Sequence, residues 1–145
     1  MSSQGAHRPP FDIYERAFQF ACAIVRFHKQ LPWHDDTLRE LGRQLLRAGT
    51  SIGSNLEEAK GASSRRDFVA KTAISLREAR ETAYWLRLML ACDFRIDSLQ
   101  PLCNEANELV SILTTIVRRS RLPLLAARAV RVLVVLVSAF LILHS

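Results

Sequence analysis

Four stretches of this chain repeat apolar residues at alternating three- and four-residue steps. Leu38, Leu41, Leu45, Ala48, Ile52 and Asn55 form one such series. Leu76, Ala79, Ala83, Leu86 and Leu90 form a second, with Phe68 and Thr72 extending it upstream. Leu99, Leu102, Ala106, Leu109, Leu113 and Ile116 form a third. Nearer the start, Tyr14, Ala17, Phe18, Ala21, Ile24, Val25 and His28 fall on a single helical stripe. This spacing lines up side chains on one face of an α-helix and never on one face of a strand. Four amphipathic helices with short links fold most simply as an all-α, antiparallel up-down four-helix bundle, here over residues 11–120.

The expected boundaries follow from local chemistry. Helix one runs from about Phe11 to Lys29, with Asp12 suiting its N-terminal dipole and Pro32 closing it. Helix two starts near Asp36, where Thr37 and Glu40 have capping-box spacing and Asp36 is the alternative cap. Gly42, Gly49 and Gly53 lie inside it, each costing roughly 1 kcal/mol relative to Ala. A closely approaching neighbour would offset that cost. Gly61 reads as a left-handed C-cap. Ser63 or Ser64 opens helix three, Ser64 and Asp67 forming a variant capping box. Helix four opens at Asp97 or Ser98, tolerates Pro101 in its first turn, and ends at Arg118-Arg119-Ser120-Arg121 ahead of Pro123.

A chain of 145 residues with 49% hydrophobic and 23% charged residues has enough material for one globular core. The net charge of +6 is unevenly placed. Up to Val117 there are 15 Lys or Arg against 14 Asp or Glu, and no acidic residue follows Glu108. The basic character therefore belongs to Arg118, Arg119, Arg121, Arg128 and Arg131. Residues 1–10 are a polar leader expected to be disordered, without the apolar centre of a signal peptide. Residues 121–145 are a basic and then apolar tail, expected to be helical. Val132–Leu143 is broken only by Ser138. As a helix this run spans about 18 Å, short of a hydrocarbon core of about 30 Å. The tail then packs on the bundle or another subunit, makes membrane contact through residues 122–145 with its arginines at the headgroups, or forms an unstructured or atypical end.

No catalytic constellation is legible, and no enzymatic activity, metal or cofactor is expected. Cys22, Cys92 and Cys103 lack ligand spacing and read as small buried hydrophobes. His7, His28, His34 and His144 fall at the leader, helix ends and tail, and no Glu-x-x-His pair of a di-iron bundle occurs. Ser51, Ser54, Ser63 and Ser64 form no nucleophile elbow. Asn55, Glu57 and Glu58, at the end of helix two, are placed to meet Arg77 or Arg80 across the Gly61 turn as a structural polar network. Arg39, Arg43 and Arg47 make a basic stripe on helix two. With Arg65 and Arg66 they are the candidate phosphate contacts for RNA or DNA. Tyr84 and Trp85 read as packing residues rather than base-stacking ones. Val69, Trp85, Leu88 and Met89 lie beyond the inner seam of helix three and read as an oligomer surface.

Two segments resemble a known family. They are Ser51-Ile52-Gly53-Ser54-Asn55-Leu56-Glu57-Glu58-Ala59-Lys60-Gly61-Ala62-Ser63-Ser64-Arg65-Arg66-Asp67-Phe68 and Ile74-Ser75-Leu76-Arg77-Glu78-Ala79-Arg80-Glu81-Thr82-Ala83-Tyr84-Trp85-Leu86-Arg87-Leu88. Both are similar to the bacterial four-helix-bundle proteins encoded by 23S rRNA intervening sequences. Glu105-Ala106-Asn107-Glu108-Leu109 and Ile112-Leu113-Thr114-Thr115-Ile116-Val117 fit as well. The resemblance implies a bacterial cytoplasmic protein, bundles assembled side by side into a homo-oligomeric ring, typically of five, and no known enzymatic activity. A related bundle, the accessory protein of diversity-generating retroelements, is a basic pentamer that assists a reverse transcriptase and binds nucleic acid. The tail from Leu122 departs from the usual family end. The functional readings open at this point are an oligomeric nucleic-acid-binding scaffold, a protein interaction module, and a bundle associated with membrane through its tail.

Overall fold

The computed structural model describes residues 12–32, 34–94 and 96–143, with the backbone alone over 137–143. The leader, His7 and His144 lie outside the described residues. Four helices follow one another: α1 (Ile13–Gln30), α2 (Asp36–Lys60), α3 (Arg65–Ala91) and α4 (Leu99–Leu143). No strand occurs among the described residues. Consecutive helices pack together, with α2 against α3 the broadest contact, and α4 returns to touch α1. The four therefore stand in a ring around one core, an antiparallel bundle.

Side-chain caps fix where the helices start. Asp12 accepts from the backbone N–H of Tyr14 at 2.9 Å, and Ser64 accepts from that of Asp67 at 3.1 Å. At α2 the cap is Asp35, which accepts from the Leu38 N–H at 3.0 Å, in place of the expected Asp36 or Thr37. Asp36 is already helical and pairs with Arg39. Gly61 ends α2 at φ −87° and ψ 8°, not in the left-handed region. The left-handed residue is Asp93, with φ 59°, just past α3.

The core is built from Phe20, Ile24 and Phe27 on α1, Leu45, Ile52 and Leu56 on α2, Leu76, Leu86 and Met89 on α3, and Leu102, Leu109 and Leu113 on α4. Its stripes are rotated from the strict seven-residue reading. On α1 the buried face is Ala17, Phe20, Ile24 and Phe27, and Phe18 is 58% exposed. On α3 the seam passes through Thr82 and Met89 rather than Ala83 and Leu90, which are only half-buried. A straight helix at 3.6 residues per turn drifts by about 20° per heptad, enough to exchange neighbouring positions. This corrects the expected oligomer surface. Met89 is fully buried and Val69 is 7% exposed, so both belong to the single chain's interior. Trp85 packs against the core while its indole N–H reaches Glu81 at 3.3 Å, and Leu88 is half-buried. Cys103 is buried and Cys22 half-buried, but Cys92, which caps α3, is exposed.

The largest departure is α4. It does not end at Arg121 but runs 45 residues, through Pro123, to Leu143. A proline inside a helix removes one hydrogen bond and crowds the carbonyl four residues back, at a cost of about 3 kcal/mol. Here Arg119 and Pro123 are both exposed, so water can reach the stranded carbonyl, and Leu124, Leu125, Ala126 and Ala127 are strong helix formers. Among the described residues Val117 is the last of the core. Residues 121–131 of α4 still run beside Arg66 and Val69 at the start of α3, and the helix continues from there to Leu143, a further distance of about 18 Å. Its residues from 122 to 136 are exposed, apart from a half-buried Leu124.

Candidate nucleic-acid interface

Hairpin register decides which polar groups meet. The Ser75 hydroxyl donates to the carbonyl of Ile52 at 2.8 Å, aligning α2 and α3. Toward the turn, Glu58 on α2 and Lys71 on α3 come within reach of each other and form an ion pair. Lys71 is raised above its ordinary 10.5, chiefly by that hydrogen bond. Arg77 and Arg80 lie about two turns farther along α3. The expected network therefore does not form. Asn55 donates to Ser51 O of its own helix at 2.8 Å, and Arg77 pairs with Glu78 at 3.0 Å.

The stripe on α2 is partly neutralised by its own helix. Arg39 pairs with Asp36, and Arg43 with Glu40 at 3.7 Å. Arg47 carries no ion pair among the described residues. Arg65 and Arg66 are exposed at the start of α3.

A different basic surface emerges in the groove between α3 and α4. Its upper part is lined by Arg80, Tyr84 and Arg87 on α3, and by Asn107 and Val110 on α4. Its lower part is lined by Arg77 and Arg80 facing Thr114, Arg118 and Arg121. Positions 77, 80, 84 and 87 recur at helical steps, so one face of α3 presents arginine, arginine, tyrosine, arginine. Tyr84 is 49% exposed, and Trp85 stacks edge-on against it with ring centroids 5.0 Å apart. Arg80, Arg87, Arg118 and Arg121 are exposed and carry no ion pair to any described acidic residue. Guanidinium groups without carboxylate partners, flanking an exposed aromatic face, can hold phosphates and stack on a base. Sequence spacing carries the α3 half of this surface. It does not show that Arg118 and Arg121 lie across the same groove, because that depends on how α4 packs.

Among the described residues, no three His, Cys, Asp or Glu side chains cluster closely enough to hold a metal ion. Nor is any helix among them long and apolar enough to cross a membrane.

Comparison with known proteins agrees with this architecture. A crystal structure of a protein with unknown function from the S23 ribosomal protein family of Bacteroides thetaiotaomicron is 34% identical to this chain. It superposes with a TM-score of 0.67, covering 73% of this chain and 98% of that one. No curated protein matches. Residues 10–115 match the 23S rRNA-intervening sequence protein family, which takes in all four bundle helices and stops short of the projecting tail. The chain belongs to the 23S rRNA-intervening sequence protein family.

Proposed function

We propose that this protein is a non-enzymatic scaffold that assembles into a closed homo-oligomer and contacts RNA through the α3–α4 groove. One observation carries the reading: Tyr84 stands between Arg80 and Arg87, and Arg80 also borders the adjoining hollow that holds Arg118, with no acidic partner for those three arginines among the described residues. The family's name, which refers to an rRNA insert, supports the nucleic-acid class. Contact would be mostly with the backbone, since no base-reading element enters a groove of a duplex, and affinity would fall steeply with salt. Repetition of the groove around a ring, of five subunits as the resemblance implies, adds avidity.

Fluorescence anisotropy with a structured RNA over a salt series tests this. Changing Arg80, Arg87 and Arg118 together to Gln is expected to weaken binding at least about tenfold and to flatten the salt slope. Changing Arg39, Arg43 and Arg47 together to Gln is expected to have a smaller effect. Equal effects, or no binding by the unaltered chain at low salt, would overturn the groove assignment.

A ring requires two different surface patches that meet head to tail. Phe18 over the α1–α2 groove, beside Gly53 and Ser54, supplies one, and Ile13, Ile112 and Ile116 across α1 and α4 supply another. Phe18→Lys is expected to dissociate the oligomer in light scattering without unfolding the bundle. A single chain of monomeric mass before any substitution would refute assembly.

A further inference from the structure

We infer that the projecting end of α4 is a membrane anchor that enters one leaflet of an anionic bilayer without spanning it. Five successive residues, Val132, Leu133, Val134, Val135 and Leu136, are each more than half exposed. Successive residues on a helix are rotated by about 100°, so five of them cover its whole circumference. A neighbouring helix or a second copy covers one side of such a segment and leaves the other side in water. A surrounding apolar medium covers all of it, and a helix apolar all round is normally found inside one. The sequence continues apolar to Leu143, interrupted only by Ser138.

Charge specifies which medium. Arg118, Arg119, Arg121, Arg128 and Arg131 precede or border the apolar run, and no acidic residue lies anywhere after Glu108. Where α4 leaves the bundle, Arg66 of α3 joins Arg121, Arg128 and Arg131 around Val69, Leu124 and Leu125. This is a basic collar on an apolar floor, the pattern that suits anionic headgroups above acyl chains. The run Val132–Leu143 is about 18 Å long, more than half of a hydrocarbon core of about 30 Å and less than the whole, so it reaches into one leaflet. A single insertion of this kind, assisted by basic residues, gives reversible attachment.

Vesicle flotation with the full chain tests the assignment, using phosphatidylcholine vesicles with and without phosphatidylglycerol. Samples are treated with nuclease first, so that RNA cannot bridge protein and vesicle. The protein is expected to float with the mixed vesicles and to partition about tenfold less into phosphatidylcholine alone, the charge contribution expected of a basic collar. Leu133→Gln with Val135→Gln should abolish flotation. Arg128→Gln with Arg131→Gln should remove the preference for phosphatidylglycerol. A Leu136→Trp variant should show a blue shift of its emission on adding mixed vesicles. Circular dichroism of each variant confirms the bundle, and since the substituted residues are exposed, folding should not change. Failure of the full chain to float would overturn the anchor. So would flotation unaffected by the Leu133 and Val135 substitutions, or tail-dependent self-association in place of vesicle binding.

Discussion

The guanidinium of Arg16 on α1 grips the carboxylate of Glu105 on α4 through two parallel hydrogen bonds, Nε to Oε1 at 2.5 Å and Nη2 to Oε2 at 2.9 Å. The pair spans the slimmest seam of the bundle, where α4 meets α1. The Glu105 hydrogen bond is also the main reason that the Arg16 guanidinium is held above its ordinary arginine range. Both side chains are about one-third exposed, at 30% and 33%, so solvent screening limits the strength of the pair. Arg16→Ala and Glu105→Ala are each expected to lower stability by about 1 kcal/mol. The double variant should lose little more than either single one. A urea denaturation cycle measures the coupling, and full additivity would remove the pair as the clasp between α1 and α4.

Two glycines on α2 should respond in opposite directions to alanine. A methyl at Gly49 would sit 2.9 Å from Ile24 Cγ1, 3.0 Å from Cγ2 and 3.4 Å from Cβ. Isoleucine is β-branched and stiff, so the α1–α2 contact must open. Gly49→Ala is expected to cost about 1–3 kcal/mol. At Gly53 the nearest atom, Ala17 O, would be 3.6 Å away, an ordinary contact. Gly53→Ala is expected to gain up to about 1 kcal/mol from helix propensity. Thermal melts of the two variants would show opposite shifts.

Buried hydroxyls on α3 should separate by the helix they bond to. Thr72 donates to Phe68 O and Thr82 to Glu78 O, each within α3 at 2.8 Å, whereas Ser75 bonds across to α2. Ser75→Ala is expected to lose about 1 kcal/mol. Thr72→Val and Thr82→Val, which keep the shape and lose only intrahelical bonds, should stay within about 0.5 kcal/mol of the parent. Chemical denaturation checks all three.

His28 makes stability pH-dependent. Burial, and then the charge of Arg43, holds its imidazole below the ordinary 6.5. The folded chain therefore resists a proton that the unfolded chain accepts. Stability should fall as pH drops through about 6.5, and the loss should be complete below the folded value. His28→Gln should flatten this part of the urea-midpoint profile between about pH 7 and about pH 5. An unchanged slope would show that carboxylates alone set it.

Removing the tail should leave the core intact. Among the described residues none after Val117 belongs to the core, and the family match ends at residue 115. A chain ending at Arg121 is expected to melt within a few degrees of the full protein. A large drop would mean that residues beyond 121 stabilise the bundle.

How much of this was legible in the sequence follows from the range of each interaction. Helix existence and the Asp12 and Ser64 caps are set within one turn, and local spacing shows them. The azimuth of each seam accumulates over several turns, so Phe18 exchanged places with Phe20, and Met89 with Leu90. Pro123 argued for a stop, but exposure of that segment relaxes the usual prohibition. The pairing of Glu58 with Lys71, and of Arg80 with Arg118 across one groove, depends on register between separate helices. One helix read alone carries no such information.

The continuity of α4 makes the tail a rotating shaft locked in phase with the bundle. No hinge of non-helical backbone intervenes between Val117 and Val132, so the direction in which each collar arginine points is geared to the direction of the groove. Inserting one residue between Arg119 and Leu122 would turn the whole distal segment by about 100° and advance it by about 1.5 Å. Inserting seven would nearly restore the phase and move the collar outward by about 10 Å. The spacing between Arg118 and Arg131 thus sets a fixed dihedral relation between the bundle and whatever holds its far end.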